Sequence, residues 1–69
     1  MNKMKKHSMA ELGYKLCANV NVAYKKQGRY YLIAEFAGEK GRYNYPPIKT
    51  TNKWSANKIL AIYGATERF

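Results

Sequence analysis

From Tyr14 to Phe36 the chain alternates between apolar and polar residues almost without interruption. The even positions are Tyr14, Leu16, Ala18, Val20, Val22 and Tyr24, then Tyr30, Leu32, Ala34 and Phe36. The odd positions include Lys15, Asn19, Asn21, Lys25, Arg29, Tyr31 and Glu35. A period of two is what strands produce when one face packs and the other stays wet. It predicts two strands, over 14–25 and 29–37, whose faces differ in chemistry.

Parity also predicts a register. If both apolar sets face one core, even residues must oppose even residues. A three-residue loop, Lys26-Gln27-Gly28, meets that condition and puts Gly28 in the left-handed position of a bulged turn. Lys25 then pairs with Arg29, Tyr24 with Tyr30, Val22 with Leu32, Val20 with Ala34 and Ala18 with Phe36. Tyr14, Tyr24, Tyr30, Tyr43 and Tyr45 point towards the core, whereas Tyr31 and Cys17 point outward.

Gly38-Glu39-Lys40-Gly41 reads as a second turn leading into a third strand over 42–48, with Arg42 and Asn44 outward. Pro46-Pro47 cannot donate ladder hydrogen bonds, which puts that strand at an edge and bends it, with Ile48 rejoining the core. Thr50 or Thr51 can cap a helix over 52–63 that Gly64 closes. Ala56, Ile59, Leu60 and Tyr63 follow the spacing of a buried helical stripe, with Trp54 near its N-terminal border. Ser8 and Glu11 have capping-box spacing, with room for one turn before Gly13. The expected class is therefore α+β: a three-stranded antiparallel β-meander with one C-terminal helix packed on one face. Residues 8–69 form the single domain, and residues 1–7 form a mobile basic arm.

A chain of 69 residues supplies one small core. Its one cysteine excludes an intrachain disulfide and suits a reducing cytoplasm. No apolar run approaches the roughly 20 residues of a membrane span, and no signal-peptide core follows the early lysines, so no membrane partner is expected. His7 and Cys17 are too few for a structural zinc site. Ser8 and Ser55 have no histidine base in a folded segment, Glu35 is a lone strand carboxylate, and the glycines match no phosphate-cradling loop. These residues predict no enzyme, no cofactor and no metal.

Charge is the remaining signal. Thirteen Lys and Arg face four acids, for a net charge of +9, and Lys3, Lys5 and Lys6 supply only three of those positive charges. The excess therefore belongs to the folded part too, and it suits nucleic acid, an acidic protein surface or an anionic membrane. On the predicted register the outer face presents Lys15, Asn19, Asn21, Lys25, Arg29, Tyr31, Arg42 and Asn44. Arg and Asn can pair bidentately with base edges, and a narrow sheet can enter the major groove. Lys53, in the first helical turn, is unfavourable for the helix dipole and hints at a phosphate contact. Lys3, Lys5 and Lys6 add non-specific affinity or reach a minor groove. Glu35, mid-face, opposes this reading by repelling phosphates.

At Gly28-Arg29-Tyr30, Gly38-Glu39, Pro46-Pro47-Ile48 and Trp54-x-Ala56-Asn57-x-Ile59 the chain resembles the bacterial cell-division activator CedA family, over roughly residues 26–64. That resemblance implies a sheet packed on a C-terminal helix and a role in binding DNA or RNA polymerase. The strand-turn-strand-helix outline also looks like the arm-type DNA-binding domains of tyrosine recombinases, which read the major groove with a three-stranded sheet. Two functions are therefore expected. One is a cytoplasmic regulator that binds double-stranded DNA through its outer sheet face and basic arm. The other is a host- or phage-type regulator that docks on an acidic surface of a transcription, cell-division or defence complex.

Overall fold

The computed structural model describes residues 9–37, 43–44 and 46–69. Among these, five strands and one helix follow in order: β1 (Lys15–Leu16), β2 (Val22–Gln27), β3 (Tyr30–Ala37), β4 (Tyr43–Asn44), β5 (Ile48–Thr50) and α1 (Lys53–Ile62). All pairings are antiparallel, and β1, β2 and β3 are neighbours in that order. β4 and β5 lie in succession along the far edge of β3, so the five segments occupy four strand positions. The class is α+β as expected, with four strand positions where three were expected.

The additional strand arises because the predicted first strand breaks. β1 folds back on β2, with Lys15 opposite Tyr24 and Leu16 opposite Ala23. The Cys17 amide donates to the Val22 carbonyl at 2.9 Å and closes the turn between them. Asn19 and Asn21 sit in this turn, where short polar side chains tolerate tight backbone. The C-terminal tail holds the turn in place: the Ala18 amide donates to the Glu67 carboxylate at 3.0 Å, and the Asn19 side chain donates to the Gly64 carbonyl at 2.7 Å.

The β2–β3 register also differs from the parity expectation. Gln27 pairs with Tyr30 across a two-residue loop, Gly28-Arg29, and Tyr24 pairs with Ile33. Gly28 has φ +62°, the conformation that two-residue hairpins require at their first loop position. Even residues of β2 therefore share a face with odd residues of β3. Val22, Tyr24 and Lys26 lie with Tyr31 and Ile33 on one side, and Ala23 and Lys25 lie with Leu32, Ala34 and Phe36 on the other. The premise of a single core fails because β3 is covered on both sides.

The first side carries α1. Val22, Ile33, Ala56, Leu60, Cys17 and Ala65 form its buried cluster, flanked by Val20, Tyr24, Tyr31, Ile59, Tyr63 and Phe69. Fully burying Val22, Ile33 or Leu60 stabilises the fold by about 1.5–3 kcal/mol each. Cys17, expected outside, is buried here, and so is Ile33. The second side is closed by the turn at 9–13. Met9, 1% exposed, packs with Ala23, Ala34, Phe36 and Tyr14. Tyr14 and Tyr30, expected to face the helix, lie on this second side.

One backbone motif ends both covers. At α1 the Ala65 amide donates to the Leu60 carbonyl and the Gly64 amide to the Ala61 carbonyl, with Gly64 at φ +86°. At the N-terminal turn the Tyr14 amide donates to the Met9 carbonyl and the Gly13 amide to the Ala10 carbonyl, with Gly13 at φ +92°. These are the paired bonds of a Schellman closure. Ser8, the expected cap of that turn, lies outside the described residues, as do residues 1–7 and 38–42.

The helix follows its sequence more closely. Its buried residues are Ala56 and Leu60, with Ile59 and Tyr63 beside them, as the stripe predicted. Asn52 is the N-cap: its side chain accepts from the Ser55 amide at 3.0 Å, and Thr50 accepts from the Asn52 amide at 3.1 Å. Pro46-Pro47 separates β4 from β5, as predicted. Three steps along β3, from Ile33 to Phe36, are matched by four from Asn44 to Ile48, so the register slips by one residue there. Ile48 stays 41% exposed and does not rejoin the core.

Candidate nucleic-acid interface

The odd-to-even register divides the predicted outer face between the two sides of the sheet. Lys15 and Tyr31 fall on the helix side. Lys25 falls on the opposite side, where its ammonium donates to the Leu12 carbonyl at 2.6 Å and stands 4.8 Å from the Tyr14 ring centre. Asn19 is committed to Gly64, and the Asn21 carbonyl accepts from the Phe36 amide at 3.0 Å. Arg29 is exposed at the hairpin tip, and Lys53 is exposed at the start of α1. Asn44 pairs with Phe36 in β4. Lys3, Lys5, Lys6 and Arg42 lie outside the described residues. The described residues of the predicted face therefore do not share one flat surface.

A different grouping replaces it. A half-open pocket of about 410 Å³ is lined by Gly13, Lys15, Tyr24, Lys25, Lys26, Arg68 and Phe69. Lys15 and Tyr24 arrive there because β1 pairs with β2. Lys26 arrives because β2 alternates, and its ammonium donates to the Gly28 carbonyl at 2.6 Å while standing 5.2 Å from the Tyr31 ring centre. The tail brings Arg68 and Phe69. The Phe69 amide donates to the Asn57 side chain at 2.7 Å, and its ring packs edge-on against Tyr31 at 4.9 Å and Tyr24 at 5.3 Å. Arg68 is braced by the Ala65 and Glu67 carbonyls at 2.8 and 2.6 Å.

Sequence reading missed Lys26, Arg68, Tyr24 and Phe69 as site residues. The alternation puts Lys26 in a loop and Tyr24 in the core, and the tail carries no periodic signal. The clue available is composition, because Arg68-Phe69 sets a cation beside an aromatic ring in sequence, as Tyr24-Lys25 does.

The electrostatics of the pocket are cationic at the rim and neutral within. Burial, then the nearby Glu67 carboxylate and Cys17, raise the Tyr24 phenol above its ordinary range, so it stays protonated and can donate. Glu67 is lowered, chiefly by the Ala18 amide, and remains an anion beside the pocket that offsets part of the charge. The Cys17 thiol is pushed up to about 11 by burial and then by Glu67, which accepts its hydrogen bond. A thiol so held is a packing group and not a nucleophile at neutral pH. Among the described residues no three His, Cys, Asp or Glu side chains gather as metal ligands. No helix among them is long and apolar enough to cross a membrane.

Such a pocket can hold anionic oxygens at Lys15, Lys26 and Arg68 and set a flat ring or sugar against Tyr24 and Phe69. Comparison with protein-family models, curated proteins and solved structures finds no match to the chain. The functional reading rests on these residues.

Proposed function

We propose that this chain is a small, non-enzymatic, cytoplasmic DNA-binding regulator that grips the duplex backbone from the rim of the pocket. The observation that carries the reading is the grouping of Lys15, Lys26 and Arg68 with Tyr24 and Phe69 around one concavity, on a chain of net charge +9. Phosphate contacts from these cations supply affinity, and Arg29 at the hairpin tip is the side chain placed to reach a base edge. Lys53, Lys3, Lys5, Lys6 and Arg42 add attraction without sequence preference. Binding so built regulates by occupying DNA and needs no cofactor.

The test is titration of the full chain against labelled mixed-sequence duplex and RNA at roughly 50 and 200 mM salt. The expected result is duplex binding whose log–log salt slope is about −0.9 per phosphate neutralised. Lys15→Glu together with Lys26→Glu should flatten that slope by about 2, one contact each, with the circular dichroism spectrum unchanged. Absence of binding at the lower salt removes the proposal, and tighter binding to RNA reassigns the partner.

A further inference from the structure

Among the described residues, the two most exposed large apolar side chains belong to neither core nor pocket. Trp54 is 68% exposed and Ile62 is 75% exposed, both on α1. Trp54 was expected at the border of the buried stripe. It stands instead at the opposite pole, because 100° per residue sets positions 54, 58, 61 and 62 against 56, 60 and 63. Lys58 and Ala61, both exposed, lie between Trp54 and Ile62, and the Lys58 ammonium sits 4.8 Å from the Trp54 ring centre. The helix, KWSANKILAI, contains Lys53 and Lys58 and no acid, its first turn included. This strip shares no residue with the pocket.

We propose that the outer face of α1 is a docking surface for an acidic amphipathic helix of a partner protein. Trp54 and Ile62 are eight residues apart, about 12 Å along the axis, which matches two apolar side chains spaced two turns apart on a facing helix. Carboxylates flanking those side chains meet Lys58, which lies between the two on the helical wheel. Tryptophan is the residue that most often dominates an interface, and the fold here leaves it out of the core.

Charge and shape argue against other occupants. A second copy across a two-fold axis at the middle of the strip would bring Lys58 against its own counterpart. DNA would meet Lys58 but leave Ile62 and Ala61 without a partner. A lipid surface needs a broader apolar arc than two large side chains on a ten-residue helix.

The experiment selects from a displayed library of peptides of about 12 residues, a little over three helical turns, against the full chain. Binders are then measured in solution by the emission of Trp54, the single tryptophan in the sequence. Enriched peptides should combine Asp or Glu with large apolar residues and shift Trp54 emission to the blue. Ile62→Ser and Lys58→Glu should each weaken them by about tenfold or more, the size of an interface hot spot. Both positions are exposed, so the helical signal should persist. Peptides that bind both variants like the parent, or leave Trp54 emission unmoved, overturn the proposal. So does an emission shift produced by phosphatidylserine-containing vesicles or by duplex DNA when no peptide produces one.

Discussion

The two sides of the sheet reach similar burial by unequal means. On one side a ten-residue helix and an ordered tail cover Ile33 and Val22. On the other, a single turn places Met9 over Ala23, Ala34 and Phe36. Both covers end in the same paired hydrogen bonds around a left-handed glycine. Burial of a sheet face therefore does not require an element as long as the face. One long side chain, fixed by a closed turn, is enough for a small sheet.

That comparison predicts unequal mutational costs. Leu60→Ala and Met9→Ala both empty fully buried sites and fall in the range of about 2–5 kcal/mol. Leu60→Ala should lie in the upper part of that range, because its void is framed by helix and sheet. Met9→Ala should lie in the lower part, because a short turn can settle onto the gap. Denaturant unfolding measures both, and equal costs would break the distinction.

The closures should respond alike. Gly13→Ala and Gly64→Ala each force a Cβ into the left-handed region, at about 1–2 kcal/mol. An added Cβ meets Lys25 at 3.8 Å and Val20 at 3.9 Å, ordinary contacts, so backbone strain sets the cost at both sites. A large difference between them would show that one closure is not independent of its surroundings. Asn52→Ala touches only the helical side and should cost about 1 kcal/mol through the lost cap.

The last effect concerns protonation. The Cys17 thiol ionises near 9.0 when unfolded and at about 11 when folded, so the folded state holds the proton more tightly. Its contribution to stability is complete below pH 9 and declines as pH rises towards 11. Glu67→Gln removes the carboxylate charge that, after burial, raises that thiol, so its reactivity profile should move to lower pH while burial keeps it above the ordinary range. Glu67 itself contributes above the ordinary carboxylate range and loses its contribution as pH falls through its lowered value. An unchanged thiol profile in the variant would show that burial alone holds the proton.

Much of the helical half was legible in the sequence. The stripe at Ala56, Ile59, Leu60 and Tyr63, the closure at Gly64 and the break at Pro46-Pro47 each follow from a local rule of spacing or of missing donors. The sheet was less legible because its register depends on one residue of loop length. Taking Gly28-Arg29 as the loop, in place of Lys26-Gln27-Gly28, moves every residue of one strand to the other face relative to its partner. The alternation could not decide between them, since it describes each strand alone and carries no sign of a second cover. The pocket was hidden for the same reason. Lys26 enters it only on the observed register, and Arg68 and Phe69 enter through tail contacts with Tyr24, Tyr31 and Asn57, which have no periodicity.

The two-residue hairpin also sets an order of events in time. β2 and β3 are joined by Gly28 and Arg29 alone, so their contact requires almost no chain closure, and isolated hairpins form within about 1–10 μs. The two covers come from opposite ends of the sequence, Met9 before the hairpin and α1 after it. Each must close a longer loop onto a surface that the hairpin already presents. Loop closure therefore favours an order that starts at this hairpin and ends with the two covers, and φ-values for Leu60→Ala and Met9→Ala lower than those within β2 and β3 are the expected signature.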